Sequence, residues 1–281
     1  MGVFASRLRE LKRPGKEARF ANFPMPYAGP VIVADGDSWF EYPWQTDTIQ
    51  VLGETYRIKP LARAGDTWND VRAEQQLMPT IEAVAPDIVL LSVGGNDIID
   101  HLPVYVFPFT AARARTGRAH VRWPVYRAAL DVIVKTYQEI CRPIVDLGID
   151  VVVSGYDRPN PRVREDGGQW LGPELIRTRN LFDIPLWHLI TGEMIDEYDR
   201  RMRAFAARFN AATDPARSTA KLTFVSQIDA VNAGSWAPHP GAVNPRWNDE
   251  MHPNDEGFRR VAGRLSRAID EVWTRRNTPT V

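Results

Sequence analysis

Ser38 closes an apolar run in "VIVADGDSWFEYP", and Asp249 stands three residues before His252 in "NDEMHPNDEGF". A serine hydroxyl is a weak nucleophile until a base removes its proton, and neutral imidazole, with an ordinary pKa of about 6.5, suits that task near neutral pH. The imidazolium so formed needs a carboxylate on its other ring nitrogen, and Asp249 is within reach of His252 across a turn. Attack on a carbonyl also pushes charge onto its oxygen, which requires N–H donors already aimed at it; losing one costs about 3–4 kcal/mol. The N–H of Ser38, the N–H of Gly65 in "ARAGDT" and the side-chain amide of Asn96 in "GGND" are candidates, glycine permitting close approach. Asp255 is a second carboxylate near His252, but Asn254 and Asp255 fit better as caps of the helix that follows.

These residues must be brought together by the elements that carry them. The runs "PVIVADG", "YRIKPLARAG", "DIVLLSVGG", "IDVVVSGY" and "KLTFVSQI" read as strands, and continuous apolar runs such as "IVLLSV" suit strands covered on both faces. Strands alternating with helical patterns predict a parallel sheet whose carboxyl ends share one edge, so Ser38, Gly65 and Asn96 converge there. Tyr126, Leu130, Ile133, Tyr137, Ile140 and Ile144 recur at helical spacing, with Gly148 as the stop and Pro143 loosening the last turn. Thr191 is placed to cap a helix with Met194, Ile195, Tyr198, Met202, Phe205 and Phe209 on its apolar face. Phe258, Val261, Leu265, Ile269, Val272 and Trp273 form the stripe of a last helix.

Two stretches interrupt this rhythm, residues 101–124 and 156–190, both rich in Pro, aromatics and Arg. Long connections in an α/β domain serve as binding loops or lids. Residues 1–29, basic and punctuated by Pro14, Pro24, Pro26 and Gly29, read as a surface arm, leaving one domain over 30–281. Trp39, Phe40 and Trp44, large rings beside the serine, are candidates for an apolar substrate pocket.

Composition narrows the partners. Thirty-five basic side chains balance thirty-five acidic ones in 281 residues, so no whole-chain field draws nucleic acid to the protein. A single cysteine, Cys141, excludes an internal disulfide and a multi-cysteine metal site. His101, His120, His188 and His239 are expected in loops without metal-ligand spacing, so no metal is expected. There is no G-x-G-x-x-G fingerprint, no P-loop and no G-x-S-x-G elbow, so no cofactor is expected and the α/β-hydrolase fold is disfavoured. No run has secretory or membrane-spanning length, which makes a cytoplasmic location the default.

In chain order, "GDS" at Gly36 to Ser38, Gly65 in "ARAGDT", "GGND" at Gly94 to Asp97 and "DEMH" at Asp249 to His252 resemble the successive blocks of the SGNH (GDSL-type) hydrolase family. The resemblance spans roughly residues 31 to 275, and Trp39 stands where the family has leucine. It implies a flavodoxin-like, three-layer α/β/α sandwich around a five-stranded, mainly parallel sheet. It further implies a cofactor-free serine esterase acting on a small-molecule ester, with Ser38 as nucleophile, His252 as base, Asp249 as its orienting acid, and Ser38, Gly65 and Asn96 as oxyanion donors. Ser38 also suits a helix N-cap, and Gly95-Asn96-Asp97 a plain turn. An acyltransferase, a carbohydrate or metabolite O-deacetylase, and a binding module are the competing functions on the same scaffold.

Overall fold

The structure, a computed structural model, describes residues 9–113, 115–232 and 244–278; His239 and the first eight residues of the expected arm lie outside them. Five strands form one sheet: β1 (Val31–Gly36), β2 (Arg57–Pro60), β3 (Ile88–Ser92), β4 (Asp150–Ser154) and β5 (Leu222–Val225). Their order is β2-β1-β3-β4-β5, and every pair is parallel, with Ala34 opposite both Pro60 and Leu90 and Leu90 opposite Val152. The central strands β3 and β4 are buried at every residue, because helices cover both faces and no position along them meets water. β2 and β5, at the edges, are buried only in part. The result is a three-layer α/β arrangement.

The strand order reverses at β1, which has β2 on one side and β3 on the other, and that reversal opens a crevice at the carboxyl ends. Gly36 ends β1 there. A β-carbon on it would stand 2.5 Å from the carbonyl oxygen of Ser92, so only glycine lets β1 and β3 close at this point. The end of β3 is held from behind by Tyr137, whose hydroxyl donates to the Val93 carbonyl at 2.7 Å from the helix Trp123–Asp146. Pro143 lies inside that helix, near its end, and Gly148, at φ +78°, reverses the chain into β4.

Several local expectations change. The helix expected to begin at Thr191 begins at Ile184 and runs to Ala211; Asp183 caps it by accepting from Leu186 N–H, and Pro185 occupies its first turn. Thr191 sits inside, its hydroxyl donating to the Trp187 carbonyl at 2.9 Å. Short polar caps outrank a mid-pattern threonine because the cap must precede the whole periodic stretch, "IPLWHLI" included. His188 therefore lies in a helix and is buried, as is His120 at the end of the helix Gly117–His120, whereas loops were expected.

The N-terminal segment is docked rather than free. The helix Arg13–Ala21 packs on β2, covering the edge strand. Lys16 is buried and donates to the Phe40 carbonyl at 2.7 Å and to Asp47 at 2.6 Å, and pairs with Glu41. The segment is expected as a surface arm; one of its lysines instead bridges two buried carboxylates just beyond Ser38. Among the described residues, no helix is long and apolar enough to cross a membrane.

Candidate active site

Ser38 lies in the turn that leaves β1, and His252 in the loop that precedes the helix Asp255–Asn277. The hydroxyl of Ser38 is 2.8 Å from His252 Nε2, and His252 Nδ1 is 2.8 Å from Asp249 Oδ2. With the Nδ1 proton on the Asp249 side, Nε2 is left to accept from the serine, a tautomer assigned from this network. All three side chains are buried, so the hydrogen-bonded chain is shielded from competing water.

The loop 247–253 folds back on itself to create that geometry. Asn248 N–H donates to the His252 carbonyl at 2.9 Å, Trp247 bridges Pro253, and Asn254 caps the following helix through Gly257 N–H at 3.0 Å. Inside the loop, the N–H groups of Met251 and His252 each donate to Asp249 Oδ1 at 2.8 Å. Burial raises the pKa of the Asp249 carboxyl, but the bonds and charge of His252, with Met251 N–H and the Tyr42 hydroxyl, outweigh it and hold the group at about 2. Asp249 therefore stays ionised across the working range. Asp255 turns elsewhere, accepting from Thr46 N–H at 2.8 Å.

Asn96 stands in the first turn of the short helix Gly95–Ile99, reached from β3 through Gly94 at φ +112°. Its side-chain amide donates to the Asp66 carbonyl at 2.9 Å, and Trp68 N–H donates to Asp97 at 3.1 Å, so the "GGND" and "AGDTW" segments are tied twice. Gly65 adopts φ +82°, a conformation that strains any side chain even though a β-carbon there would meet nothing within 4 Å. Arg9 brackets that turn: its carbonyl accepts from Ala64 N–H at 3.0 Å, its Nε donates to the Ala64 carbonyl at 2.9 Å, and its guanidinium pairs with Asp66. Among the described residues, no group accepts from the N–H of Ser38 or of Gly65. The cleft at Ser38 is lined by Trp39, Gly95, Asn96, Ile98, Ile99, Tyr156 and Met251, with His252; Gly65 does not line it and meets it through Asn96.

The expected pocket rings part company. Trp39 lines the cleft and its indole N–H donates to the Met251 carbonyl at 3.1 Å. Phe40 is fully buried core, because the turn after Ser38 points it inward under β1. Trp44 is 62% exposed and rests against Tyr42, away from the cleft, because Pro43 and the capped turn at Asp47 carry it outward.

Sequence reasoning passed over four residues of this site. Tyr42 donates to Asp249 Oδ2 at 2.7 Å and accepts from the Asn248 amide at 2.8 Å. Tyr156 donates to Asp37 Oδ2 at 2.6 Å and accepts from Gly95 N–H at 3.1 Å, joining the serine turn to the asparagine turn. Burial pushes the Asp37 carboxyl up to about 6 against the Tyr156 and Trp39 N–H bonds that favour its ionised form. Trp170 sets its ring at 81° to His252, centroids 5.8 Å apart, and Glu250 anchors the loop that carries it. Tyr42 and Glu250 were both inside quoted motifs, but nothing in a motif marks a long-range partner. Among the described residues, no group of three His, Cys, Asp or Glu side chains is arranged to hold a metal ion.

No family model and no curated protein matches the chain. Solved structures do. A catalytic mutant of an acetylxylan esterase from Geobacillus stearothermophilus aligns with a TM-score of 0.51 and 17% identity, over 86% of this chain and 94% of that one. A provisionally named acylhydrolase from Bacteroides fragilis aligns with a TM-score of 0.51 and 16% identity, over 92% and 95%. A GDSL-like lipase from Bacteroides thetaiotaomicron aligns at 0.49 and 14% identity, over 92% and 97%. The chain shares its α/β fold with the acylhydrolase and the acetylxylan esterase.

Proposed function

We propose that the protein is a serine esterase that hydrolyses a small carboxylic ester through an acyl-enzyme on Ser38. The observation that carries this reading is the unbroken chain of short hydrogen bonds from Ser38 Oγ through the His252 ring to Asp249. Ser38 Oγ attacks the ester carbonyl while His252 Nε2 takes its proton, and the Oγ–carbon bond forms as the carbonyl electrons move to oxygen. The oxyanion is met by the Ser38 N–H and the Asn96 amide, with the Gly65 turn holding Asn96 in place through the Asp66 carbonyl, and Asp249 balances the imidazolium charge. His252 then returns the proton to the departing alcohol. Water, activated by the same imidazole, attacks the acyl-enzyme and releases the acid.

Support for the oxyanion assignment comes from the bond between the Asn96 amide and the Asp66 carbonyl, which fixes that donor against the Gly65 turn. The acetylxylan esterase among the structural neighbours is the reason to include acetylated sugars in the substrate panel.

The test is an ester panel, short acyl through long acyl with acetylated sugars, run on native protein and Ser38→Ala side by side. A fall in kcat of about 10^4-fold or more, with an unchanged thermal melt, is expected for the variant. A fluorophosphonate should add to Ser38 in the native protein. Undiminished turnover by Ser38→Ala defeats the reading, and ligand binding with neither turnover nor labelling favours a binding module. An added alcohol that diverts the acyl group from water identifies an acyltransferase.

A further inference from the structure

The insertion 156–190 has no part in the steps above, yet it is tied to the residue beside Asp249. Glu250 is fully buried. Its Oε1 accepts from Arg162 N–H at 3.0 Å and Gly172 N–H at 2.7 Å. Its Oε2 accepts from the N–H groups of Gln169, Trp170 and Leu171 at 2.8, 2.6 and 2.9 Å. Five backbone donors thus converge on one carboxylate, an anion nest built from a single loop. The loop is closed around it, since Gly168 N–H donates to the Val163 carbonyl at 2.8 Å and a β-carbon on Gly172 would stand 1.9 Å from the Arg162 carbonyl. Arg162 binds back to the catalytic loop, donating to the Trp247 carbonyl at 2.9 Å. Burying a carboxylate is costly unless donors satisfy it, so these five N–H groups hold the insertion and the 247–253 loop in one arrangement.

The insertion carries Trp170, only half-buried, with its ring 5.8 Å from that of His252. The leaving alcohol must take its proton from His252 Nε2 across about 3 Å. Its oxygen therefore departs beside His252, whose ring Trp170 borders edge-on at the margin of the cleft. A half-buried indole offers a large flat apolar surface at little conformational cost.

We propose that Trp170 is the residue that selects the alcohol half of the ester, favouring alcohols that present a flat ring face, and that Glu250 is the positioning residue that holds it there. This rests on the esterase reading. The acyl half lies on the opposite side of the carbonyl, so Trp170 bears on the alcohol and not on the acyl chain.

The experiment compares acetates that differ only in their alcohol: ethyl acetate, phenyl acetate and a peracetylated methyl xyloside, with phenyl butyrate to report acyl choice. For Trp170→Ala, kcat/KM for the ring-bearing acetates should fall about tenfold or more relative to ethyl acetate, with the acetate-to-butyrate ratio of the phenyl esters held. Trp170→Phe, which keeps a ring, should restore most of the preference. Glu250→Gln should lose the same preference, and adding it to Trp170→Ala should cost no further alcohol selectivity. A fall on phenyl acetate alone identifies an aryl alcohol, and one on the xyloside alone a sugar; both support the assignment. An equal loss on all three acetates, or an altered acyl ratio instead, overturns it while leaving the esterase reading intact. Native protein that turns over none of these esters overturns both.

Discussion

The phenol ring of Tyr42 lies against the imidazole of His252, centroids 4.3 Å apart and planes at 21°, while its hydroxyl reaches the carboxylate of Asp249 at 2.7 Å. One side chain therefore braces both the proposed base and its acid. The π-face is also placed to stabilise the cation that forms when His252 is protonated. Tyr42→Phe keeps the ring and loses the hydroxyl, so kcat should fall about tenfold with KM unchanged. Tyr42→Leu, which loses both, should fall further. Equal kinetics for the two variants would mean that the stacked ring contributes nothing.

Asn96→Ala removes the proposed oxyanion donor and also releases the Asp66 carbonyl. A loss of about 10^2- to 10^3-fold in kcat is expected, with little change in KM, because the bond is made to the transition state and not to the ground-state ester. Steady-state kinetics on a single acetate measure this directly.

Asp249 makes stability depend on acidity. Its folded pKa, held at about 2, lies below the ordinary 3.8, so its contribution is fully present above 3.8 and is lost as pH falls through about 2. The difference amounts to about 2 kcal/mol. Asp249→Asn should melt below the native protein at pH 6, and the gap should narrow steadily as the pH approaches 2.

Asp35 runs the other way. Burial in β1 pushes its carboxyl up to about 6, with Gly36 N–H, Arg13 and Arg63 opposing. A raised acid favours the folded state below the unfolded pKa and loses that contribution as pH rises through 6. Asp35→Asn keeps an oxygen for Gly36 N–H and drops the charge, so it should stabilise the protein at pH 8 by about 1–3 kcal/mol and give no gain near pH 4. Denaturant titrations at the two pH values check the sign.

Lys16→Met would strand Glu41 and Asp47, both buried, without their cation. Removing one partner of such a group costs about 3–5 kcal/mol. A denaturant midpoint for this variant equal to the native value would show that the Lys16 ion pairs contribute no stability.

Much of this architecture was legible in advance, for a physical reason. Apolar runs such as "IVLLSV" report strands covered on both sides, a property each residue expresses through its own hydrophobicity. Parallel strands share their carboxyl edge by geometry, so Ser38 and Asn96 could be placed at one crevice from strand ends alone. The Asp249 and His252 pairing spans a turn of three residues and needs no distant information. The start of the helix Ile184–Ala211 was missed because the threonine at 191 fits a cap equally well on paper, while Asp183 wins only by enclosing the longer apolar stretch.

The amino-acid sequence by itself determined the strands, the crevice and the short-range geometry of Asp249 and His252, since each depends on hydrophobic periodicity or on neighbours a few residues apart. Tertiary structure alone decided that Tyr42 reaches Asp249 across 207 residues, that Glu250 gathers the loop bearing Trp170, that Phe40 goes to the core and Trp44 to the surface, and that Lys16 is buried. Those outcomes follow from which side chains fill the same volume once the sheet has closed, and no local pattern encodes a contact between segments that only folding brings together.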